Sequence, residues 1–359
     1  MGGRELAHSI DGLALWTVED LSGPTGALHP AQEAMVECHG SQCGFCTPGF
    51  VMSLFGLYQN QVCRGEPVTR EQAQAALSGN LCRCTGYRPL LDAAQLMADL
   101  PRVKVDEAAL LARLQALPHR AGEENAYLAP ATLSGLLAAR AAHPQAQLVA
   151  GCTDVGLWIT KAHKRFGQVI DVTRVAELRR IESTADGLLV GAAATLEDAF
   201  AALVAQRPQL QAFAERFAGL PVRNSGTLGG NIANGSPIGD SMPLLIALGA
   251  RIVLASIRGE REMALEDFYT GYRQTQLAAD EVVARLLQGD GPGGGRRGGW
   301  RGRLGGRGPR GPGRWSRRTA CGGCGRLHAR SSKGRGTGIK APAPTGLAGR
   351  CGKTIIRWA

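Results

Sequence analysis

The sequence predicts a multi-domain chain in which a small α-helical bundle precedes an α+β domain and a low-complexity tail follows. Helix-start signals cluster between residues 28 and 100. Short apolar strand candidates alternate with helical stretches over 125–288, and the hydrophobic periodicity stops at residue 289. The 359 residues are enough for two or three domains with their own cores.

The charge of the chain is divided between a mildly acidic body and a strongly basic tail. The formal net charge is +11, yet residues 289–359 carry 17 lysines and arginines and a single acid, Asp290. Those residues also hold 22 of the 50 glycines, in Gly-Pro and Arg-Gly runs without a hydrophobic period. We therefore expect a disordered tail. We interpret the tail as the product of a shifted reading frame, because its composition changes abruptly. We expect no role in nucleic-acid binding, because the tail lacks a regular repeat.

The helical bundle is predicted from its capping residues. Pro30, Thr47-Pro48, the capping-box pattern 69–72 and Arg88-Pro89 each mark the start of a helix within residues 28–100. Residues 101–124 form a charged linker with some helical character. Before the bundle, residues 1–27 contain one strand candidate at 13–18, which we interpret as the remnant of a preceding domain, since a lone strand has no sheet to join.

Four cysteines within the bundle have the spacing of metal ligands. Cys43 and Cys46 form a C-x2-C pair, Cys82 and Cys84 form a C-x-C pair, and each pair lies in a loop before a helix. Four thiolates can hold either Zn²⁺ or a [2Fe-2S] cluster. A C-x-C pair strains a single tetrahedral ion, whereas a two-iron cluster offers each pair its own iron. The spacing thus favours iron–sulfur and leaves zinc or free thiols as alternatives.

The α+β domain, residues 125–288, contains two glycine-rich loops. Strands are predicted at 147–150, 168–171, 187–191 and 251–255, and helices at 132–142 and 196–205. The first loop, 148–156, follows a strand, and the second spans 226–240. Neither has the G-x-G-x-x-G or P-loop pattern. Both expose backbone N–H groups to which a phosphate could bind, although two ordinary glycine-rich turns remain the alternative.

Two segments carry a resemblance to a known family. Residues 39–50 (HGSQCGFCTPGF) and 79–89 (GNLCRCTGYRP) resemble the helical [2Fe-2S] domain of the molybdenum hydroxylases, to which xanthine dehydrogenases belong. The resemblance implies that Cys43, Cys46, Cys82 and Cys84 bind the cluster. It also implies that Gln42 reaches toward a molybdopterin held by a separate large subunit.

The glycine-rich loops resemble those of the FAD-binding domain of the same family, which has the vanillyl-alcohol-oxidase (PCMH) type of fold. The residues that this resemblance assigns to FAD are Leu148, Val149, Ala150, Gly151, Cys152, Thr153, Asp154 and Val155 at the diphosphate, Thr227 and Asn231 at phosphate or ribose oxygens, Asp240 at a hydroxyl group, and Phe217 beside a ring. No catalytic residue is expected in this chain.

The resemblance implies an electron-transfer subunit. It would relay electrons from the molybdopterin partner through [2Fe-2S] to FAD and on to NAD, in purine (xanthine or hypoxanthine) oxidation. We expect a cytoplasmic hetero-oligomer without membrane association. Since the resemblance spans about residues 10–288, we expect an incomplete FAD-binding domain. Two alternatives stay open: a truncated remnant that binds a cluster but not FAD, and a zinc-binding, nucleic-acid-associated protein.

Overall fold

The computed structural model describes residues 7–23, 26–117, 126–185 and 187–289. The predicted tail therefore lies outside the described residues, apart from Gly289, and so do residues 118–124 of the predicted linker. The first part of the chain is helical, as predicted. Its helices are α1 (Pro30–Glu37), α2 (Thr47–Asn60), α3 (Arg70–Leu77), α4 (Arg88–Leu96) and, within the linker, α5 (Glu107–Gln115).

Capping interactions explain where the helices of the bundle begin. His29 Nδ1 accepts a hydrogen bond from the Ala31 N–H, and the Gln32 side chain accepts one from the His29 N–H, which closes a capping box around Pro30. Thr69 forms the predicted capping box at α3. Helix α2 begins at Thr47 with Pro48 in its first turn, as predicted, and Cys46 occupies its N-cap position.

Helix α2 forms the centre of the helical core. Phe50, Leu54, Phe55 and Tyr58 are all nearly inaccessible to solvent. The Tyr58 hydroxyl also accepts a hydrogen bond of 2.9 Å from the backbone N–H of Val103, which fastens the linker to the bundle. Burial of such aromatic and aliphatic side chains is the main stabilising contribution in a domain of this size.

The predicted strand at residues 13–18 is wrong. This segment has no regular secondary structure, since the described residues offer it no strand to pair with. Instead, Trp16 packs against Phe55, and Gln32 donates a hydrogen bond to the carbonyl oxygen of Val18. Trp16 and Val18 of the predicted strand therefore pack against the helical core, whereas Leu13 and Leu15 are exposed.

The buried imidazole of His29 leads to a prediction about acid stability. It is 4% exposed, and burial lowers its pKa from 6.5 to about 4. Between these values the unfolded chain binds a proton and the folded chain does not, so folding stability falls by about 3 kcal/mol as the pH drops through this window. We expect His29→Asn, which can still cap the helix, to be less stable at pH 7 yet to lose less stability on acidification. Urea unfolding of both proteins at several pH values measures the difference, and parallel profiles would contradict this expectation.

The described residues of the second part of the chain contain two larger sheets and a short two-stranded hairpin. A three-stranded parallel sheet has the order β1-β3-β2, and a five-stranded antiparallel sheet has the order β4-β5-β10-β6-β7. The strands are β1 (Tyr127–Leu128), β2 (Gln147–Val149), β3 (Val169–Asp171), β4 (Ile181–Thr184), β5 (Gly187–Gly191), β6 (Arg251–Ser256), β7 (Gly259–Ala264), the short hairpin β8 (Tyr269–Gly271) and β9 (Gln274–Thr275), and β10 (Val282–Gly289). The α+β prediction and its four strand candidates are confirmed.

Helices join the strands of this domain and cover them. They are α6 (Leu133–Ala142), α7 (Val155–Thr160), α8 (Leu196–Gln206), α9 (Gln211–Arg216), α10 (Leu220–Ser225), α11 (Leu228–Asn234) and α12 (Ser241–Ala247). Strand β2 leads directly into the first glycine-rich loop, and α11 lies within the second. Strand β10, which was not predicted, lies at the centre of the large sheet. Among the described residues, no helix is both long and apolar enough to cross a membrane.

Candidate cluster and flavin sites

The four predicted cysteine ligands come together from two loops. Cys43 and Cys46 lie in the loop before α2, and Cys82 and Cys84 lie in the loop between α3 and α4. The thiols contact one another across the loops: Cys43 faces Cys84, and Cys46 faces Cys82. These contacts join the two loops, and the expectation that each sequence pair shares an iron stays a prediction.

Hydrogen bonds to sulfur favour the thiolate form on one side of each facing pair. The Thr85 hydroxyl, together with the backbone N–H groups of Thr85 and Cys84, lowers the pKa of the Cys82 thiol to about 7. The backbone N–H of Phe45 lowers the pKa of Cys43. A thiolate is the form that binds a metal, and backbone N–H groups around sulfur also tune a cluster's potential.

The other thiol of each pair has a raised pKa. Burial is the main cause at Cys46, and the hydrogen bond to Cys43 is the main cause at Cys84. In the part of the chain that the structure describes, no three His, Cys, Asp or Glu side chains are close enough to hold one metal ion. Charge interactions also link Cys43 with Cys82 and with Cys46, so the four thiols lie near one another as one group.

Tyr87 is a residue of this site that the sequence analysis did not assign. Its hydroxyl accepts a hydrogen bond of 3.1 Å from the backbone N–H of Cys82, and its ring contacts Phe50 in the helical core. Its backbone has a positive φ of 67° directly before Arg88, where α4 begins. The Gly-Tyr-Arg-Pro sequence at this helix start is the signal that could have identified it.

Large apolar side chains stand exposed in both cysteine loops. Phe45 is 88% exposed and Leu81 is 82% exposed. Gln42, predicted to reach toward a molybdopterin, is also exposed in the first loop. Exposed apolar side chains that cluster around a polar site are typical of surfaces that another molecule covers.

The two glycine-rich loops pack directly against each other. A Cβ atom on Gly151 would lie 1.6 Å from the carbonyl oxygen of Ser225 and 2.9 Å from the Cα of Gly226, so only glycine fits there. The side chain of Asn234 also donates a hydrogen bond to Asp154. The structure therefore places residues 148–155 beside residues 225–234.

Two predicted FAD residues of the second loop are held in place by their neighbours. Thr227 is buried, and its hydroxyl oxygen accepts a hydrogen bond of 3.1 Å from the N–H of Gly230 at the start of α11. Asn231 accepts a hydrogen bond from the hydroxyl of Ser241 at the start of α12. Both side chains are thus preorganised, with the Thr227 hydroxyl hydrogen and the Asn231 amide group left to donate.

Phe217 and Asp240 line the same pocket. This cavity of about 370 Å³ is lined by Ala212, Phe213, Arg216, Phe217 and Asp240. The Phe217 ring packs edge-on against Phe200, with ring centroids 4.8 Å apart. An aromatic ring and a carboxylate in one pocket suit a ligand with both a flat ring and hydroxyl groups.

Arg223 fixes this pocket and was missed by the sequence analysis. It is 5% exposed, and it donates hydrogen bonds to the carbonyl oxygens of Phe217 and Ala218 and to the carboxylate of Glu197. Ala218 has a positive φ of 52°, a conformation that costs a non-glycine residue free energy and needs support. No sequence pattern could have identified it, because its role depends on which carbonyl oxygens lie beside it in the fold.

Cys152 lies in the first glycine-rich loop with a positive φ of 56° and is 6% exposed. Its carbonyl oxygen accepts a hydrogen bond of 2.8 Å from the Gly156 N–H in the first turn of α7. The left-handed backbone at this position turns the chain from β2 into α7, which brings the neighbouring residues 151 and 153 toward the second loop.

Comparison with known families agrees with this two-part organisation. Residues 17–95 match the family described as [2Fe-2S] binding domain, and residues 121–287 match the FAD binding domain in molybdopterin dehydrogenase. These matches define the class: an iron–sulfur and FAD region with the cofactors [2Fe-2S] and FAD. The chain thus contains a [2Fe-2S] binding domain followed by the FAD binding domain of molybdopterin dehydrogenases, and this order fits the iron–sulfur and FAD region of a xanthine dehydrogenase.

Curated relatives from animals and plants are similar to the chain over much of its length. Xanthine dehydrogenase of Drosophila subobscura is 34% identical over 337 residues, covering 77% of this chain and 25% of that protein. Xanthine dehydrogenase/oxidase of Mus musculus is 33% identical over 335 residues, with 78% and 25% covered. Xanthine dehydrogenase 1 of Arabidopsis thaliana is 29% identical, with 78% and 26% covered. The chain thus spans about a quarter of the length of these relatives.

Solved structures show a limited likeness. Quinoline 2-oxidoreductase from Pseudomonas putida 86 is 30% identical, with a TM-score of 0.44, covering 46% of this chain and 59% of that chain. Carbon monoxide dehydrogenase from Hydrogenophaga pseudoflava is 29% identical, with a TM-score of 0.43 and coverage of 46% and 58%.

Proposed function

We propose that the chain is an electron-transfer component of a molybdenum hydroxylase. The observation that carries this proposal is the meeting of four thiols from two loops, Cys43 and Cys46 before α2 and Cys82 and Cys84 before α4, within residues that match a [2Fe-2S] binding domain. Four thiolates can hold a two-iron cluster or a zinc ion, and the family match favours the cluster. The four cysteines would hold the cluster, and the N–H groups of residues 45, 84 and 85 would stabilise the negative charge on sulfur.

The second part of the chain fits FAD. Residues 148–155 pack directly on residues 225–234, and the pocket of Phe217 and Asp240 offers a ring contact and an acceptor for hydroxyl groups. We propose the phosphates at the glycine-rich surface, with Thr227 and Asn231 as donors, in a domain of the PCMH type. When bound, the two cofactors supply one-electron and two-electron redox chemistry, while the protein sets their position and potential.

The partner that the proposal implies is a molybdopterin-binding subunit or domain. The curated relatives are named xanthine dehydrogenases, so we propose a purine as the substrate oxidised at that partner and NAD as the final acceptor. In this view Gln42 and the exposed side chains beside the cysteine loops face the partner. No residue of this chain acts on the purine.

The exposed apolar side chains of the cysteine loops yield a test of the partner contact. We expect Phe45→Ser combined with Leu81→Ser to weaken binding to a separately produced molybdopterin-binding subunit by about tenfold or more, because large apolar side chains at the centre of an interface carry much of its affinity. Ile257→Ser, a similarly exposed position between β6 and β7, is the matched control. Calorimetric titration measures both, and equal affinities would contradict the proposed contact, provided the iron content is unchanged.

The relay itself is tested by a reduction experiment. The purified full chain, reconstituted with iron, sulfide and FAD without air, is reduced with a stoichiometric amount of dithionite and then mixed with NAD⁺. We expect the visible absorbance of both cofactors to bleach on reduction and to return on reoxidation. Bleaching without recovery by NAD⁺ would contradict NAD as the acceptor, and a preparation without flavin absorbance would support the truncated remnant.

A further inference from the structure

A contact between two glycines joins the helical domain to the FAD-binding domain. Gly79 follows α3, and Gly219 precedes α10. A Cβ atom on Gly219 would lie 2.5 Å from the Cα of Gly79 and 3.0 Å from the carbonyl oxygen of Ser78. The three atoms closest to that position all belong to the helical domain, so a larger residue at 219 would collide with the neighbouring domain and not with its own.

Both turns that meet at this contact are anchored within their own domains. On the helical side, the buried Asn80 donates hydrogen bonds to the Ser53 hydroxyl at 2.9 Å and to the carbonyl oxygen of Leu77 at 3.2 Å. On the other side, Arg223 holds the carbonyl oxygens of Phe217 and Ala218. A contact between two anchored turns transmits position, because neither turn can yield without breaking buried hydrogen bonds.

The contact lies close in sequence to both candidate cofactor sites. Gly79 is three residues before Cys82, and Gly219 is two residues after Phe217, which lines the flavin pocket. The N-terminal segment, which packs on the helical core through Trp16, also contacts the FAD-binding domain: Arg174 donates hydrogen bonds to the carbonyl oxygens of His8 and Asp11, and the His8 ring stacks on Tyr127 at 4.5 Å. The two parts are thus fastened at two places.

We propose that Gly79 and Gly219 form a positioning contact, anchored by Asn80 and Arg223, that fixes the cysteine loops relative to the flavin pocket. The identity of the two cofactor sites that the contact positions rests on the proposed function, whereas the contact between the two glycines does not depend on it. The two glycines act because they lack side chains, which allows the two backbones to approach each other directly. The contacts of His8 and Asp11 with Arg174 and Tyr127 limit how far the domains can move apart once the contact between the two glycines is broken.

The test compares the full chain with Gly219→Ala. Gly219 has an ordinary backbone conformation, with a φ of −84°, so alanine strains no backbone angle. Gly167→Ala is the control, because a Cβ there meets nothing within 4 Å. We expect the wild-type chain and the control to unfold in one calorimetric transition over the described domains. We expect Gly219→Ala to lose this cooperativity and to unfold in two transitions, although its circular dichroism at the starting temperature is unchanged.

A second readout reports position and not stability alone. The emission lifetime of bound FAD is shortened by energy transfer to a nearby iron–sulfur cluster, so we expect it to lengthen in Gly219→Ala at unchanged iron and FAD content. An unchanged lifetime together with one transition, as in the control, would overturn the positioning contact. If the wild-type chain binds neither cofactor, the proposed function fails, and calorimetry alone still decides whether the two glycines couple the domains.

Discussion

Replacement of Cys82 by serine is expected to abolish cluster binding. The Cys82 sulfur faces Cys46 and accepts hydrogen bonds from the backbone N–H groups of Cys84 and Thr85, both at 3.4 Å. Serine keeps the size of the side chain but replaces the thiolate with a hydroxyl, which is a poor iron ligand at neutral pH. A cluster that loses one of four ligands is exposed to solvent and to oxygen.

Cys63→Ser serves as the matched control for this substitution. Cys63 lies in the same helical domain, is partly buried, and directs its thiol toward the carbonyl oxygen of Val103 at 3.6 Å, outside the two cysteine loops. Iron and acid-labile sulfide per chain, measured after reconstitution without air, should fall to background in Cys82→Ser and stay at the wild-type level in Cys63→Ser. Equal loss in both variants would show that the cysteines act on folding and not on ligation.

The second large effect is expected at Gly151. Because an added Cβ would lie 1.6 Å from the carbonyl oxygen of Ser225, Gly151→Ala must push the first glycine-rich loop away from the second. Overpacking against backbone costs about 3 kcal/mol or more, since backbone atoms cannot rotate out of the way. We expect this variant to retain its cluster and to lose bound FAD.

Gly167→Ala is again the appropriate control, since it makes the same chemical change at an open position of the same domain. FAD released by heat from the purified proteins, counted per chain, measures the effect. Retention of FAD by Gly151→Ala at the wild-type level would contradict the assignment of residues 148–155 to the phosphate site. Iron content measured on the same samples shows whether the helical domain is intact.

Local sequence signals predicted the helical domain well. The capping residues around Pro30 and Thr69 and the cysteine spacing are local, so they could be recognised without tertiary information. The strand prediction at residues 13–18 failed because strand propensity needs a partner strand, and the packing of Trp16 on Phe55 replaced it. The pairing of thiols across loops depends on how α3 and α4 pack on α2, which spacing does not reveal.

The flavin site could be predicted only in part. The two glycine-rich loops were evident in the sequence, yet their mutual packing at Gly151 depends on tertiary structure. Phe217 and Asp240 are far apart in the chain but line one pocket. Arg223 could not be assigned because its role lies in the carbonyl oxygens it holds, and no sequence pattern shows which carbonyl groups need a donor.

The cytoplasmic location and the frame-shifted tail, which the sequence analysis expects, stay predictions.

The central claim is that the four cysteines hold a two-iron cluster and not a zinc ion. Metal and acid-labile sulfide analysis of the full chain, produced with iron and kept from air, tests this most directly. The account predicts iron and labile sulfide in equal amounts, two of each per chain, with little zinc. One zinc per chain with no labile sulfide would contradict it and would support the zinc-binding alternative.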